Sequence, residues 1–157
     1  MKWYAYRTFH NRQKSVIEIA EKAGCQVFIQ KLVPSLLFIK STDEFMQKLR
    51  RSHYDSVAVY YRPGTNEPAE IPEKEMNMFI FIVSTGCETL EAIDERLIKG
   101  DKVRVTEGVF KGSEGYIVRV HGTKRFVVIL EGIVAMSTTY IPRTHLEKVI
   151  SQDNGQD

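Results

Sequence analysis

Residues 100–120 read Gly-Asp-Lys-Val-Arg-Val-Thr-Glu-Gly-Val-Phe-Lys-Gly-Ser-Glu-Gly-Tyr-Ile-Val-Arg-Val. Val103 and Val105 alternate with Lys102 and Arg104, which gives a strand one buried and one wet face. Phe110 is placed to plug an interior. Gly112 and Gly115 allow turn conformations that a side chain with a Cβ resists. Tyr116, Val118 and Val120 then alternate with Ile117 and Arg119. Strand-like runs follow at 126–130 and 136–141, punctuated by Gly122 and Gly132. Short strands at this spacing predict a small all-β barrel over residues 100–150. Residues 151–157 are expected to form a disordered tail.

Upstream the periodicity changes. Residues 3–9 are rich in aromatic side chains and read as a strand. Over residues 11–23, Val16, Ile17, Ala20 and Ala23 recur at helical spacing, and Gly24 stops the run. Residues 27–29 and 36–39 read as strands, the second introduced by Pro34. Ser41 stands three residues before Glu44, the spacing of a capping box. The helix it predicts runs through Arg51 with Phe45, Met46 and Leu49 on one side. Residues 57–61 read as a fourth strand, followed by the turn sequence Pro63-Gly64-Thr65-Asn66. Pro72 opens a further helix carrying Met76, Phe79, Ile80 and Val83, with Gly86 beyond it. This order, βαββαβα, predicts an α+β domain over residues 1–90 with an antiparallel four-stranded sheet and flanking helices. Residues 91–99 are then a linker.

A chain of 157 residues has room for two such domains. With 43% hydrophobic and 27% charged residues it has the composition of a globular protein. The formal net charge of +2 divides evenly between the halves, so a nucleic-acid site must be a local patch. Cys25 and Cys87 lie far apart. His10, His53, His121 and His145 are isolated from them and from one another. No metal site, cofactor or disulfide framework is expected, and a reducing cytoplasm fits. Neither a Walker loop nor a Gly-x-Gly-x-x-Gly element occurs. In Gly112-Ser113-Glu114-Gly115 the serine directly follows the first glycine and a strand follows the second, so the segment reads as a tight turn rather than a nucleophile elbow. The chain is therefore expected to be a binding protein and not an enzyme. Met1-Lys2-Trp3-Tyr4 enters a strand directly, unlike a signal peptide. No apolar run approaches the roughly 20 residues that span a membrane. A cytoplasmic monomer without membrane contact is expected.

Residues 100–120, with glycine following the basic Lys111, resemble the KOW motif of SH3-like barrels in transcription and ribosomal proteins. Trp3-Tyr4, the helix after it, the run Val33-Pro34-Ser35-Leu36-Leu37-Phe38-Ile39, the capped helix and Ile71-Pro72-Glu73-Lys74-Glu75 resemble the N-terminal (NGN) domain of NusG. Together the two resemblances cover nearly residues 1–150. The family's run is typically Phe-Pro-Gly-Tyr-Val/Leu-Phe-Val, so Leu36 stands where the family carries an aromatic. The stretch between Val27 and Leu36 is short where NusG has a longer hairpin. Leu130-Glu131-Gly132-Ile133 and Tyr140-Ile141-Pro142 are similar to the UpxY group. These are specialised antiterminators associated with capsular polysaccharide operons, and the wider specialised group includes RfaH.

The resemblance implies contact with the clamp helices of the largest RNA polymerase subunit through an apolar depression, at Tyr4, Tyr6, Leu36 and Phe38. It implies a second contact with the non-template DNA strand, at Arg7, Gln47, Lys48, Arg50 and Arg51, with Arg12 nearby. In the barrel it implies a partner contact with a small-subunit ribosomal protein through Phe110 and Ile133. The family's Phe-Gly-Arg loop is replaced by Ile133-Val134-Ala135, which tells against Rho binding. The β-branched runs favour a stable barrel over a helical alternative. The implied function is transcription antitermination or elongation at selected operons. A general NusG-type elongation factor and a ribosome-associated RNA-binding KOW protein are the alternatives.

Overall fold

In a computed structural model the first half runs β1 (Lys2–Thr8), α1 (Gln13–Lys22), β2 (Gln26–Ile29), β3 (Leu36–Ser41), α2 (Asp43–Ser52), β4 (Val57–Val59) and α3 (Glu73–Ser84). The described residues are 1–85 and 88–150. Gly86, Cys87 and the expected tail lie outside them. The four strands form one sheet in the order β2-β3-β1-β4, every pair antiparallel. Alternation sends Tyr4, Tyr6, Leu37 and Ile39 to one face, where they pack with Val16 and Ala20 of α1 and Met46 and Leu49 of α2. Trp3, Ala5, Leu36 and Phe38 point the other way and cluster with Met76, Phe79 and Ile82 of α3. Burial on both faces explains why the central strands are nearly uninterrupted apolar runs.

Two local features set this half in place. The cap of α2 is Thr42, whose side chain accepts from the Phe45 N–H at 3.2 Å. Ser41, the expected cap, is instead the last residue of β3, buried and paired with Lys2. Between β2 and β3 the Gln30 side chain is 4% exposed. Its amide donates to the Val33 carbonyl at 2.7 Å and accepts from the Val33 N–H at 2.8 Å, which closes the short hairpin without a longer ladder.

The second half contains β5 (Glu91–Ile93), β6 (Val103–Val105), β7 (Glu114–Val120), β8 (Thr123–Leu130), β9 (Val134–Ser137) and β10 (Leu146–Lys148). They form one antiparallel sheet in the order β10-β6-β7-β8-β9-β5. The expected barrel is thus not closed. β10 and β5 are the two ends of the ladder. The run expected at 136–141 ends as a strand at Ser137, and the chain turns away through Pro142, which has no N–H to donate. Part of the stretch expected as linker is also structured. Glu91, Ala92 and Ile93 pair with Ser137, Met136 and Ala135, and a 3-10 turn over Glu95–Leu97 follows. Gly115 sits where β7 crosses Phe126. A Cβ there would lie 2.9 Å from the Phe126 Cζ and run into the Val127 carbonyl.

One apolar cluster joins the halves. The α3 side of the first sheet continues into Val105, Phe110, Phe126, Val128, Leu130 and Met136. The rings of Phe110 and Phe126 stack at 6.5 Å. Helix α3 lies against both β1 and β8, and its Met78 sulfur accepts from the Glu114 N–H at 3.3 Å. The turn between β8 and β9 rests on the first half: a Cβ on Gly132 would come within 2.8 Å of Pro63 Cγ.

Candidate functional site

β4 is an edge strand, and the two residues that continue it are Tyr60 and Tyr61. Tyr60 is half-buried against the α3 cluster, while Tyr61 is 44% exposed. Each carries an arginine. The Arg7 guanidinium carbon lies 5.7 Å from the Tyr60 ring centroid, and that of Arg50 lies 5.5 Å from the Tyr61 centroid. Arg50 also donates to the Tyr61 hydroxyl at 2.7 Å and to the Gln47 side-chain oxygen at 3.2 Å. Arg51 donates to the Gln47 carbonyl at 3.3 Å. Helix α2 supplies this arrangement because Gln47 is followed by Arg50 and Arg51 at three and four residues, along the flank of the face that buries Met46 and Leu49. The structure thus brings Arg50, braced by Gln47, onto Tyr61, ties Arg51 back to the Gln47 carbonyl, and sets Arg7 on Tyr60.

Charge pairing divides the neighbouring cations. Arg12 is held by Asp55 at 3.1 Å, and Arg62 is paired with Glu67. Arg7, Lys48, Arg50 and Arg51 face no carboxylate within ion-pair distance among the described residues. The result is available positive charge on both faces of the sheet beside its β4 edge, Arg50 with the exposed Tyr61 ring on the α2 side and Arg7 with Tyr60 on the α3 side. Such a surface can hold phosphates through its cations and stack a base on the ring. Tyr60 and Tyr61 each anchor one of these arginines although their sequence signal was only that of a strand end.

The residues expected at an apolar docking depression are all interior. Tyr4, Tyr6, Leu36 and Phe38 are at most 1% exposed. They also divide between the faces, the tyrosines under α1 and α2 and the other two under α3. The expected shared surface therefore does not form from these four side chains, because β1 and β3 are the inner strands of a sheet covered on both sides. Burial, and next the nearby Asp43 carboxylate, raises the Tyr4 phenol; burial raises that of Tyr6. Exposed apolar surface lies one hairpin away, at Ile29 and Leu32, 48% and 42% exposed. Half-buried Phe28 and Val33 stand beside them. Their sequence signal was two apolar residues in a short hairpin.

In the second half, Phe110 is 7% exposed and part of the core. Ile133 is half-buried against the shared cluster, in the turn that meets Pro63. Cys25 is a free thiol whose pKa burial raises. His121 meets Glu91 at 3.0 Å and His145 meets Glu107 at 3.1 Å, both at the surface. Among the described residues no group of three or more His, Cys, Asp or Glu is placed to hold a metal. No helix among them is long and apolar enough to cross a membrane.

The architecture, an α+β unit with three helices followed by a strand-rich unit, is the NusG fold. The chain is similar to a structure described as domain interaction in Thermotoga maritima NusG, with a TM-score of 0.50 and 18% identity over 95% of this chain and 97% of that one. A crystal structure of the MjSpt4:Spt5 complex in conformation B shares 20% identity over 94% of this chain and 96% of that one, with a TM-score of 0.36. No protein-family model and no curated protein matches the chain.

Proposed function

We propose that this protein is a NusG-like transcription factor that rides on RNA polymerase and promotes read-through of selected operons. The observation that carries the proposal is the NusG fold extending through both halves, 95% of the chain. The Arg–Tyr pairs beside the β4 edge support it, because a factor riding on a transcribing polymerase passes beside exposed single-stranded DNA. In this reading Arg7, Lys48, Arg50 and Arg51 hold the non-template strand, with Gln47 fixing the Arg50 fork. The polymerase clamp helices dock on the apolar shoulder of Ile29 and Leu32, an arrangement suited to helix-in-groove recognition. Phe38 packs against the neighbouring Phe28, its ring 6.1 Å away, on the sheet face opposite Ile29. Contact of the second half with a small-subunit ribosomal protein through Ile133 requires the turn at Gly132 to be free of Pro63. Capsular polysaccharide operons are the proposed targets on the resemblance to the UpxY group.

A pull-down with a clamp-helix fragment tests the polymerase contact. Phe38→Asp would place a carboxylate in the core and confuse unfolding with lost binding. Leu32→Asp changes an exposed position. We expect it to weaken capture by roughly tenfold while leaving the melting temperature unchanged, the usual behaviour of an exposed interface anchor. Absence of binding by the native chain, or binding indifferent to both Ile29→Asp and Leu32→Asp, would overturn the assignment. Transcript profiling after deletion separates selected operons from a general role.

A further inference from the structure

Packing of the two halves leaves one stripe of helix α3 unused. Lys74, Asn77, Met78 and Phe81 are spaced at three, four and seven residues and share a side of the helix. It is not the side that buries Met76, Phe79 and Ile82. Met78 is fastened to the second half, its sulfur accepting from the Glu114 N–H at 3.3 Å. Phe81 remains 48% exposed. The stripe lines a cleft of about 510 Å³ together with Lys102 and the β6–β7 turn at Lys111 and Ser113. Small-molecule sites commonly have volumes of about 300–1,000 Å³.

Positive charge prevails in this cleft. Lys74 and Lys111 are exposed and face no carboxylate within ion-pair distance among the described residues. Lys102 lies 3.6 Å from Glu114, which Arg104 already holds at 2.7 Å. The other acidic residue of the lining, Glu75, is exposed. Ser113 lines the cleft although it is only 4% exposed. Its N–H donates to the Phe110 carbonyl and its carbonyl accepts from the Val105 N–H, both at 2.9 Å. Its hydroxyl has no hydrogen-bond partner among the described residues, and a polar group so far from solvent calls for one.

We infer that this cleft binds a mononucleotide between the two halves of the chain. Three features select that class. The uncompensated cations come from both halves, Lys74 from α3 and Lys111 from the β6–β7 turn, so an anion between them is reached from either side. Phosphate oxygens accept hydrogen bonds, and two ammonium groups and the Ser113 hydroxyl are donors without internal partners. The Phe81 ring is a platform for a base, and the Asn77 amide on the same stripe carries both a donor and an acceptor for the edge of that base. None of these residues belongs to the arginines beside β4 or to the Ile29 and Leu32 shoulder, so the site stands or falls apart from the polymerase reading.

The test is isothermal titration calorimetry of the full chain with AMP and GMP, and with adenosine and inorganic phosphate as partial ligands. A nucleotide binds saturably, and each partial ligand binds more weakly by roughly tenfold or more. Phe81→Ala and Lys111→Ala each weaken nucleotide binding by roughly tenfold, and Phe81→Tyr restores it because the ring is kept. Loss from both substitutions places the ligand between the halves, since one residue comes from each. Glu75→Gln removes a negative charge from the lining and tightens binding. All of these positions are exposed, and an unchanged melting curve of the unliganded chain verifies the fold. Absence of saturable binding by either nucleotide, or binding indifferent to Phe81 or to Lys111, overturns the inference. Inorganic phosphate binding as tightly as the nucleotide overturns it in favour of a simple anion site. Capture of a terminally phosphorylated oligonucleotide through Phe81 and Lys111, without binding of AMP or GMP, overturns it in favour of a nucleic-acid strand.

Discussion

Helix α3 is two-sided, and Phe79→Ala measures how much that matters. Phe79 is 1% exposed, with its ring 5.5 Å from Phe38 and 6.4 Å from Phe28. A buried aromatic removes about 150–250 Å² from water, which at about 25 cal/mol per Å² corresponds to about 4–6 kcal/mol. Truncations of buried Phe to Ala cost about 3–5 kcal/mol, cavity included. With two ring neighbours lost as well, a cost of about 4 kcal/mol is expected, or about 8–16 °C in melting temperature for a chain of this size. The control is Phe81→Ala, two residues on along the same helix and 48% exposed, with an expected cost under about 1 kcal/mol. Urea unfolding followed by tryptophan fluorescence reads both, because the single tryptophan, Trp3, sits in the same cluster. Hydrogen exchange at the Phe126 amide should accelerate along with it, since that cluster continues into the second half. Equal costs for the two substitutions, or less than about 1 kcal/mol for Phe79→Ala, would refute the placement of α3 between the sheets.

Three further outcomes are expected. Thr42→Ala removes the acceptor of the Phe45 N–H and should cost about 1 kcal/mol in chemical denaturation. Gly115→Ala forces a methyl group against the Val127 carbonyl and the Phe126 ring. It should cost about 3 kcal/mol, the upper end for overpacking, with a corresponding drop in melting temperature. Glu114 accepts from Arg104 at 2.7 and 3.2 Å, which holds its carboxyl below the ordinary glutamate value. A pKa depressed in the folded state gives stability that is full above the unfolded value and lost as pH falls through the folded one. An NMR titration should place the Glu114 midpoint below that of an unpaired glutamate, and Arg104→Met should move it up.

The first half was the more legible because its elements are long enough to show their period. Val16 and Ala20 at helical spacing, and Met46 with Leu49, do bury the faces they predicted. Strands β5 and β10 escaped because Glu91-Ala92-Ile93 and Leu146-Glu147-Lys148 lack the β-branched alternation that marked Val103-Arg104-Val105. The α2 cap was misplaced by one residue because Ser41 and Thr42 both offer a hydroxyl, and only the alternation of β3 decides that Ser41 points into the sheet. The docking residues were misplaced for a different reason. In strands buried on both sides, an apolar side chain does not declare which element will cover it, so Tyr4 and Phe38 looked equally available. The basic strip was partly legible, since Gln47, Arg50 and Arg51 fall together on any helix. The tyrosine that completes it, Tyr61, comes from beyond β4, and only the fold brings it there.

The Gln30 clasp has a consequence for how this surface can change over evolutionary time. Because one buried amide reproduces the pair of bonds that would otherwise fix the hairpin, Lys31 and Leu32 carry no structural duty of their own. They are enclosed by a closed loop and can be replaced without altering the register of β2 on β3. A lineage could therefore retarget the shoulder to a different partner by drifting at these two positions, at little cost to folding, as long as Gln30 and Val33 stay in place.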